Sequence, residues 1–183
     1  MNALDLLTTR RSEKKLTAPA PNPQQLEQLF QAALHAPDHG KLQPYRFIVI
    51  ENEGLRKLEN LLKSAVIELK LDEKRLQKAE KITRQAPMII AVVAQIRKEN
   101  KIPAWEQMLT AGCATYAMQL AANAQGFDNV WVTAPWVDGS ELRAAFGCGE
   151  NDKVIAFLLI GTAEHQAERE AKASDSTEFV SYL

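Results

Sequence analysis

The sequence predicts an α+β fold in which a mixed β-sheet is flanked by helices within one domain. Three short apolar runs, RFIVIE (46–51), MIIAVVAQ (88–95) and KVIAFLLIG (153–161), are rich in β-branched residues and typical of buried strands. The segments around them place apolar residues at helical spacing. A chain of 183 residues with no internal repeat and no long linker fits one domain over residues 1–183.

The first two helices are predicted from apolar spacing and from the prolines next to them. Residues 2–9 form a short amphipathic helix with Leu4 and Leu7 on one face. After the turn APAPNP, residues 23–36 carry apolar residues at helical spacing, and Pro37 ends that helix. The stretch PDHGKLQPY is then a loop that leads into the first strand.

Two charged amphipathic helices are predicted after the first strand, over residues 53–71 and 72–85. Pro87 separates the second of them from the next strand. Residues 103–126 form one long helix that ends at Gly126. Its middle, LTAGCATYAMQLAANAQG, is apolar nearly all round, which predicts burial at a centre or at an interface.

The C-terminal part of the chain is predicted to add strands at 129–134 (NVWVTA) and 153–161, with a short helix over 140–146 between them. The polar tail ends in a further strand near residues 179–182, carried on a flexible arm. Because chain ends usually fray, a terminal strand suggests pairing with another sheet, such as that of a second subunit, and therefore a dimer.

Composition excludes several classes of protein. The 22 basic and 23 acidic residues give a net charge of −1, which does not favour a nucleic-acid groove. No apolar run reaches the roughly 20 residues that a membrane-spanning helix needs, and Asp5 and Arg10 interrupt any signal-like segment. Cys113 and Cys148 form neither a disulfide framework nor a metal motif. We therefore expect a cytoplasmic protein that binds no nucleic acid and no membrane.

The motifs of nucleotide cradles (G-x-G-x-x-G, G-x-x-x-x-G-K-[ST]) and of the hydrolase nucleophile elbow (G-x-S-x-G) are absent. The stretch HAPDH brings His35, Asp38 and His39 close in sequence. Pro37 disrupts the helix that would put the two histidines on one face, so no metal is expected.

The stretch LLTTRRSEKKL places Arg10, Arg11 and Ser12 directly after the first helix. Two guanidinium groups and a hydroxyl suit a phosphate, because a guanidinium can bind two phosphate oxygens at once. The alternative is that the arginines only favour the C-terminus of a helix. The stretch alone does not decide between these interpretations.

Three stretches, in this order, resemble the flavin-dependent nitroreductase family. TTRRSEKKL resembles the family's basic-x-Ser block after the first helix. HAPDHGKLQPYRFIVI resembles a second family motif, in which Ala-Pro is followed by a polar loop, then by Gln-Pro and an aromatic residue, and then by a strand. AGCATYAMQLAANAQGFDNVW resembles the family's central helix and the strand that follows it. The likeness extends over nearly the whole chain, and the length and the FVSYL ending match the small single-domain members.

The resemblance implies a nitroreductase-like fold with a mostly antiparallel central sheet, FMN as prosthetic group and NAD(P)H as co-substrate. It also implies a homodimer with FMN at the subunit interface, and the C-terminal strand predicted above would be exchanged between its subunits. Hydride would pass from nicotinamide to flavin and then, by a ping-pong mechanism, to a nitroaromatic, quinone or similar acceptor. A flavin-binding or storage protein with little turnover is the alternative on the same fold.

By the match of motifs, the resemblance assigns cofactor-binding residues and no catalytic side chain. FMN would be contacted from one chain by Arg10, Arg11 and Ser12, from the other chain by His35 and His39, and from the strand after the central helix by Trp131, Val132 and Thr133. The segment associated with NAD is Ala121, Ala122, Asn123, Ala124, Gln125 and Gly126.

Several of these residues also have an ordinary structural interpretation. His39 could donate to a flavin carbonyl or ribityl oxygen, pack beside the ring, or cap nearby backbone. Trp131 could line a substrate slot or pack in the core or at an interface. Lys14 falls where some relatives place a lysine near the flavin pyrimidine, and Arg169 and Lys172 are the candidates for a second phosphate contact.

Overall fold

The computed structural model describes residues 2–165 and 175–183. Its helices are α1 (Ala3–Thr9), α2 (Pro23–Leu34), α3 (Glu53–Glu68), α4 (Glu73–Ile82), α5 (Ala104–Ala124) and α6 (Ser140–Ala145). Its strands are β1 (Leu16–Thr17), β2 (Tyr45–Glu51), β3 (Met88–Ala94), β4 (Asp128–Val132) and β5 (Lys153–Ala163). Short 3-10 turns occupy His39–Lys41, Pro135–Asp138 and Thr177–Phe179.

The strands form one sheet with β5 at its centre. β3 pairs with one edge of β5 and β4 with the other, β2 lies outside β3, and β1 pairs with the end of β5. The predicted α+β class, an antiparallel sheet flanked by helices, is confirmed. A mixed sheet would also contain parallel strand pairs. Among the described residues, every strand pair is antiparallel.

Helices cover both faces of the sheet. Ile90, Val92 and Leu158 belong to an apolar cluster shared with α2 and α5, and their neighbours Ile89 and Leu159 belong to a second cluster shared with α3, α4 and α6. Since successive side chains of a strand point to opposite faces, a strand covered on both faces needs apolar residues throughout. This explains why β3 is buried at every position and why its sequence shows no alternation.

The C-terminus of α5 sets the start of β4. Gly126 has a φ of +85°, in the left-handed region that glycine adopts at little cost. The Phe127 N–H donates to the Ala122 carbonyl at 2.9 Å, which is the long hydrogen bond of a Schellman ending. The chain therefore reverses within a few residues, and β4 runs back along α5.

The predicted elements are confirmed except at some ends. The strand predicted over 129–134 stops at Val132, and the helix predicted over 53–71 ends at Glu68. The two-residue strand β1 was not predicted. The C-terminal strand is not formed within this chain, where Thr177–Phe179 make a 3-10 turn and residues 180–183 are exposed. Its exchange between subunits stays a prediction.

Candidate functional site

The arginine-serine cluster lies where α1 ends. Arg10 has extended backbone angles (φ −55°, ψ 143°), and its Nη2 donates to the Ser12 hydroxyl at 3.2 Å. The Nε atom of Arg10 is buried and has no hydrogen-bond partner among the described residues. The Glu13 N–H donates to the Asn129 carbonyl at 3.0 Å, so this segment is anchored beside the start of β4.

A basic cleft of about 520 Å³ is lined in part by the residues that follow this cluster in the chain. Its lining residues are Lys14, Lys15, Leu16, Thr17, Lys81, Arg84, Gln85 and Glu164. Four cations therefore share the cleft with one carboxylate, while Arg84 also contacts Glu59 at 3.4 Å. Of these cations only Lys14 was predicted from the sequence as a candidate site residue. Lys81 lies in α4 and Arg84 follows it, and the sequence of this segment is typical of a charged surface helix.

Lys78 lies one turn before Lys81 on α4. Burial, and then repulsion from the neighbouring Arg75 and Lys14, lower the pKa of Lys78 below its ordinary value. Its ammonium lies 5.5 Å from the centre of the Trp136 ring. With four cations and one carboxylate in its lining, the cleft favours anions, although the whole chain is nearly neutral.

Trp131 is fixed at the other end of β4. Its indole Nε1–H donates to the Ile155 carbonyl at 3.0 Å, and 36% of the residue remains exposed. Its ring lies against Gly112 of α5, where an added Cβ would be 3.8 Å from the ring. Val132 is half-buried and Thr133 is exposed. The predicted group Trp131, Val132 and Thr133 thus ends in a partly open surface beside α5.

The two predicted histidines have different surroundings. His35 is the exposed C-cap residue of α2. The Nδ1 atom of His39 lies 2.6 Å from a carboxylate oxygen of Glu106, in the first turn of α5. Glu106 was not predicted from the sequence, since nothing local connects two residues 67 positions apart. Within residues 2–165 and 175–183, His, Cys, Asp and Glu side chains form no group of three that could hold a metal.

The segment predicted for NAD forms the C-terminal end of α5. Ala122 is fully buried, the Asn123 amide donates to the Phe127 carbonyl at 2.9 Å, and the Gln125 amide donates to the Gln25 carbonyl at 3.3 Å. By helix geometry, Ala121 lies about 22 Å along α5 from Glu106. Within one chain, the structure therefore separates this segment from the His39 loop.

The exposed face of α5 carries an apolar stripe. It consists of Trp105, Met108, Leu109 and Tyr116, with Trp105 and Leu109 about 60% exposed. These residues recur at helical spacing on the side away from the sheet. No helix among the described residues is both long enough and apolar enough to cross a membrane.

The predicted residues Arg169 and Lys172 lie outside the described residues. The residues predicted to bind FMN lie in different parts of this chain. Arg10, Arg11 and Ser12 lie near the basic cleft and β4, whereas His39 lies with Glu106 near the N-terminus of α5. Trp131 lies between them, since Gly112 is about 9 Å along α5 from Glu106.

The sequence profile of the nitroreductase family matches residues 7–162. A protein of Haemophilus influenzae named "Putative NAD(P)H nitroreductase" is 62% identical over the full length of both chains. The Escherichia coli K12 protein "Putative NAD(P)H nitroreductase YdjA" is 42% identical, again over both full lengths.

Solved structures share the fold at lower identity. A nitroreductase-like family protein from Bacillus cereus is 21% identical with a TM-score of 0.83, covering 100% of this chain and 96% of that one. NfnB, an FMN and NADPH-dependent nitroreductase of a Sphigopyxis strain, is 17% identical with a TM-score of 0.76, covering 100% and 99%. Since the family profile spans most of the chain and such relatives match it from end to end, the chain belongs to the nitroreductase family.

Proposed function

We propose that the protein is an FMN-dependent NAD(P)H oxidoreductase that reduces a nitroaromatic, quinone or similar acceptor by a ping-pong mechanism. Family membership supports this function in general. The observation that carries it in this chain is the buried Nε of Arg10, which has no hydrogen-bond partner among the described residues, on a side chain that already contacts Ser12. The proposal includes a cytoplasmic location.

The residues after α1 fit the phosphate of FMN. Arg10, Arg11 and Ser12 provide two guanidinium groups and a hydroxyl within three consecutive positions. Leaving a buried donor such as Arg10 Nε unpaired costs about 1–3 kcal/mol, and a phosphate oxygen at this position would remove that cost. Bonds from a guanidinium to a phosphate are charge-assisted and roughly twice as strong as neutral ones.

When bound, FMN would supply a flavin that takes a hydride from NAD(P)H and passes the electrons to the acceptor. The cations of the cleft would stabilise negative charge on this group, because charges interact more strongly in a partly enclosed cleft than in bulk water. Trp131 would offer an aromatic surface of fixed orientation, since Ile155 holds its indole N–H. We assign no side chain a role as acid or base.

The apolar stripe of α5 supports a homodimer. Trp105 and Leu109 are large, exposed and adjacent on the helix surface, and such contiguous apolar patches usually mark an interaction site. In a two-fold symmetric dimer, the stripe of one subunit would pack against the same stripe of the other. His35 and His39 would then approach the cofactor that is held by the other subunit.

The edge of the sheet supports exchange of the C-terminal arm. β2 is the outermost strand beyond β3, so its free edge has no strand partner among the described residues. An apolar groove of about 230 Å³ lies beside it, lined by residues that include Ile48, Ile50 and Leu58. Phe179 and Tyr182 of the arm are exposed. We propose that the arm of one subunit adds a strand to β2 of the other.

The assignment of residues 121–126 to the nicotinamide dinucleotide stays a proposal supported by the motif alone. The segment itself contains no cation, whereas the dinucleotide carries a pyrophosphate. The cations of the basic cleft are therefore the alternative partners for its phosphates.

The test is the visible spectrum of the purified protein. A yellow protein whose flavin absorbance bleaches within seconds under anaerobic NADH or NADPH, and returns on addition of a quinone or nitroaromatic, supports the proposed enzyme. A yellow protein that neither nucleotide bleaches supports the flavin-binding alternative. A colourless protein that takes up no added FMN contradicts the proposal.

A further inference from the structure

The loop before β2 holds His39 against α5. The Nδ1 atom of His39 lies 2.6 Å from Oε2 of Glu106. The Glu106 side chain is 26% exposed, whereas that of His39 is 68% exposed. Glu106 is therefore the more fixed partner, and the rest of the imidazole remains accessible to a ligand.

The loop itself has an unusual backbone. Gly40 has a φ of +73°, a conformation that residues with a side chain rarely adopt, and it packs closely against the end of the Ile102 side chain. Lys41 and Gln43 also have positive φ values, and the Gln43 N–H donates to the Asp38 carboxylate at 2.7 Å. Such backbone conformations persist only where the surrounding structure holds them, and they cluster at ligand-binding sites.

The contact with Glu106 decides which nitrogen of His39 can accept a hydrogen bond. An ionised carboxylate only accepts, so the neutral imidazole must carry its hydrogen on Nδ1. In this neutral form Nε2 is left with a lone pair, whereas a protonated imidazole would donate from both nitrogens. A ligand that pairs with Nε2 must therefore donate, and the ribityl hydroxyls of FMN are such donors.

The position of the pair agrees with a role across an interface. Glu106 follows Trp105 and precedes Leu109, the two most exposed apolar residues of the α5 stripe. A second subunit on the stripe would bring its bound cofactor towards the accessible side of His39.

We propose that Glu106 is a positioning residue that holds His39 by Nδ1–H, so that Nε2 accepts a hydrogen bond from a ribityl hydroxyl of FMN bound by the partner subunit. This inference rests on the proposed function. It assigns Glu106 no contact with the cofactor.

The first test is a double-mutant cycle on FMN binding, measured by quenching of flavin fluorescence. His39→Leu and Glu106→Leu should each raise the FMN dissociation constant about tenfold, the loss expected for one hydrogen bond. The double variant should lose no more than either single variant, because both changes remove the same bond. Glu106→Gln should stay close to wild type, since its amide oxygen still accepts from Nδ1–H.

The matched control is Glu73→Leu. Glu73 is also an acidic residue in the first turn of a helix, so its removal reproduces the loss of charge at a helix N-terminus. It lies on α4, away from His39, and should leave FMN binding unchanged. If the double variant loses as much FMN-binding free energy as the two single variants together, Glu106 acts independently of His39 and the inference is wrong.

The second test reads the tautomer directly. The chain has three histidines, so ¹⁵N NMR of the imidazoles is tractable, and the His39 signals are those that disappear in His39→Leu. In the FMN-loaded protein Nδ1 should carry the proton, and Glu106→Leu should give a mixture of tautomers. A proton on Nε2, with or without one on Nδ1, overturns the inference, because Nε2 could then not accept a hydrogen bond.

The two hypotheses fail in different ways. A wild-type chain that binds no FMN overturns the proposed function and this inference together. A wild-type chain that binds FMN, with Glu106→Leu binding it equally well, overturns this inference alone.

Discussion

Gln119 of α5 and Asn129 of β4 are joined by two reciprocal hydrogen bonds in the core. The Gln119 amide donates to the Asn129 side-chain oxygen at 2.8 Å, and the Asn129 amide donates to the Gln119 backbone carbonyl at 3.0 Å. Both residues are buried. Since the Asn129 backbone carbonyl also accepts from the Glu13 N–H, this pair connects the central helix, β4 and the arginine-serine segment.

Asn129→Leu should lower the free energy of unfolding by about 1–3 kcal/mol, because it leaves the buried Gln119 amide without its partner. Urea unfolding at fixed protein concentration measures this change. Asn60→Leu on the exposed surface of α3 is the control and should change stability by less than about 0.5 kcal/mol. Equal free energies of unfolding for the two variants would show that the Gln119–Asn129 hydrogen bonds do not stabilise the fold.

Arg10→Ala should raise the FMN dissociation constant about 10–100-fold, because hydrogen bonds to charged groups contribute about 1.5–3 kcal/mol each. Arg10→Lys should recover only part of the loss, since an ammonium cannot bind two phosphate oxygens as a planar fork. Arg56→Ala, which removes an exposed arginine paired with Glu53, should have no effect. An Arg10→Ala protein that stays fully yellow through gel filtration would refute Arg10 as a phosphate ligand.

Lys81→Ala should weaken FMN binding about 2–10-fold at low salt, because it removes one cation from the basic cleft. The difference from wild type should shrink between about 0.05 M and about 0.5 M salt, since salt screens charges that face solvent. Lys74→Ala on the same helix lies outside the lining of the cleft and serves as control. A loss that does not depend on salt would point to a change in α4 instead.

The centre of the sheet could be predicted from the sequence, since β3 and most of β5 are apolar runs that are buried in the structure. The run RFIVIE was also predicted as a buried strand, but in β2 only Tyr45 and Ile50 are buried and Val49 is exposed, because β2 is the outermost strand beyond β3. β1 could not be predicted, because two residues show no periodicity and its pairing depends on the distant end of β5. The long helix was predicted to be buried at a centre or at an interface. In the single chain one side of it is buried, while Trp105 and Leu109 remain exposed.

The candidate site could be predicted only where its residues are close in sequence. Arg10, Arg11 and Ser12 are consecutive residues, so their suitability for binding a phosphate can be recognised from the sequence alone. Lys81 and Glu106 become relevant only through folding, which brings α4 to the segment after Ser12 and α5 to the His39 loop. No spacing rule connects residues that far apart.

Leu109→Arg should convert the proposed homodimer into monomers in sedimentation velocity, because it places a charge in the middle of the apolar stripe of α5. Ile67→Arg on α3 is the control, since Ile67 is 76% exposed and lies outside the stripe. That variant should sediment like wild type. If Leu109→Arg also sediments like wild type, the stripe does not form the interface.

Deletion of residues 179–183 should raise the dissociation constant of the dimer, because the arm would no longer pair with β2 of the other subunit or place Phe179 and Tyr182 in the groove beside it. Dilution series in analytical ultracentrifugation measure this constant. A Phe179→Ser/Tyr182→Ser variant of full length separates the two contributions, since it keeps the backbone for strand pairing and loses the apolar side chains. An intermediate effect of this variant is expected. If the deletion leaves the constant unchanged, the arm lies outside the interface, and the free edge of β2 must be covered in another way.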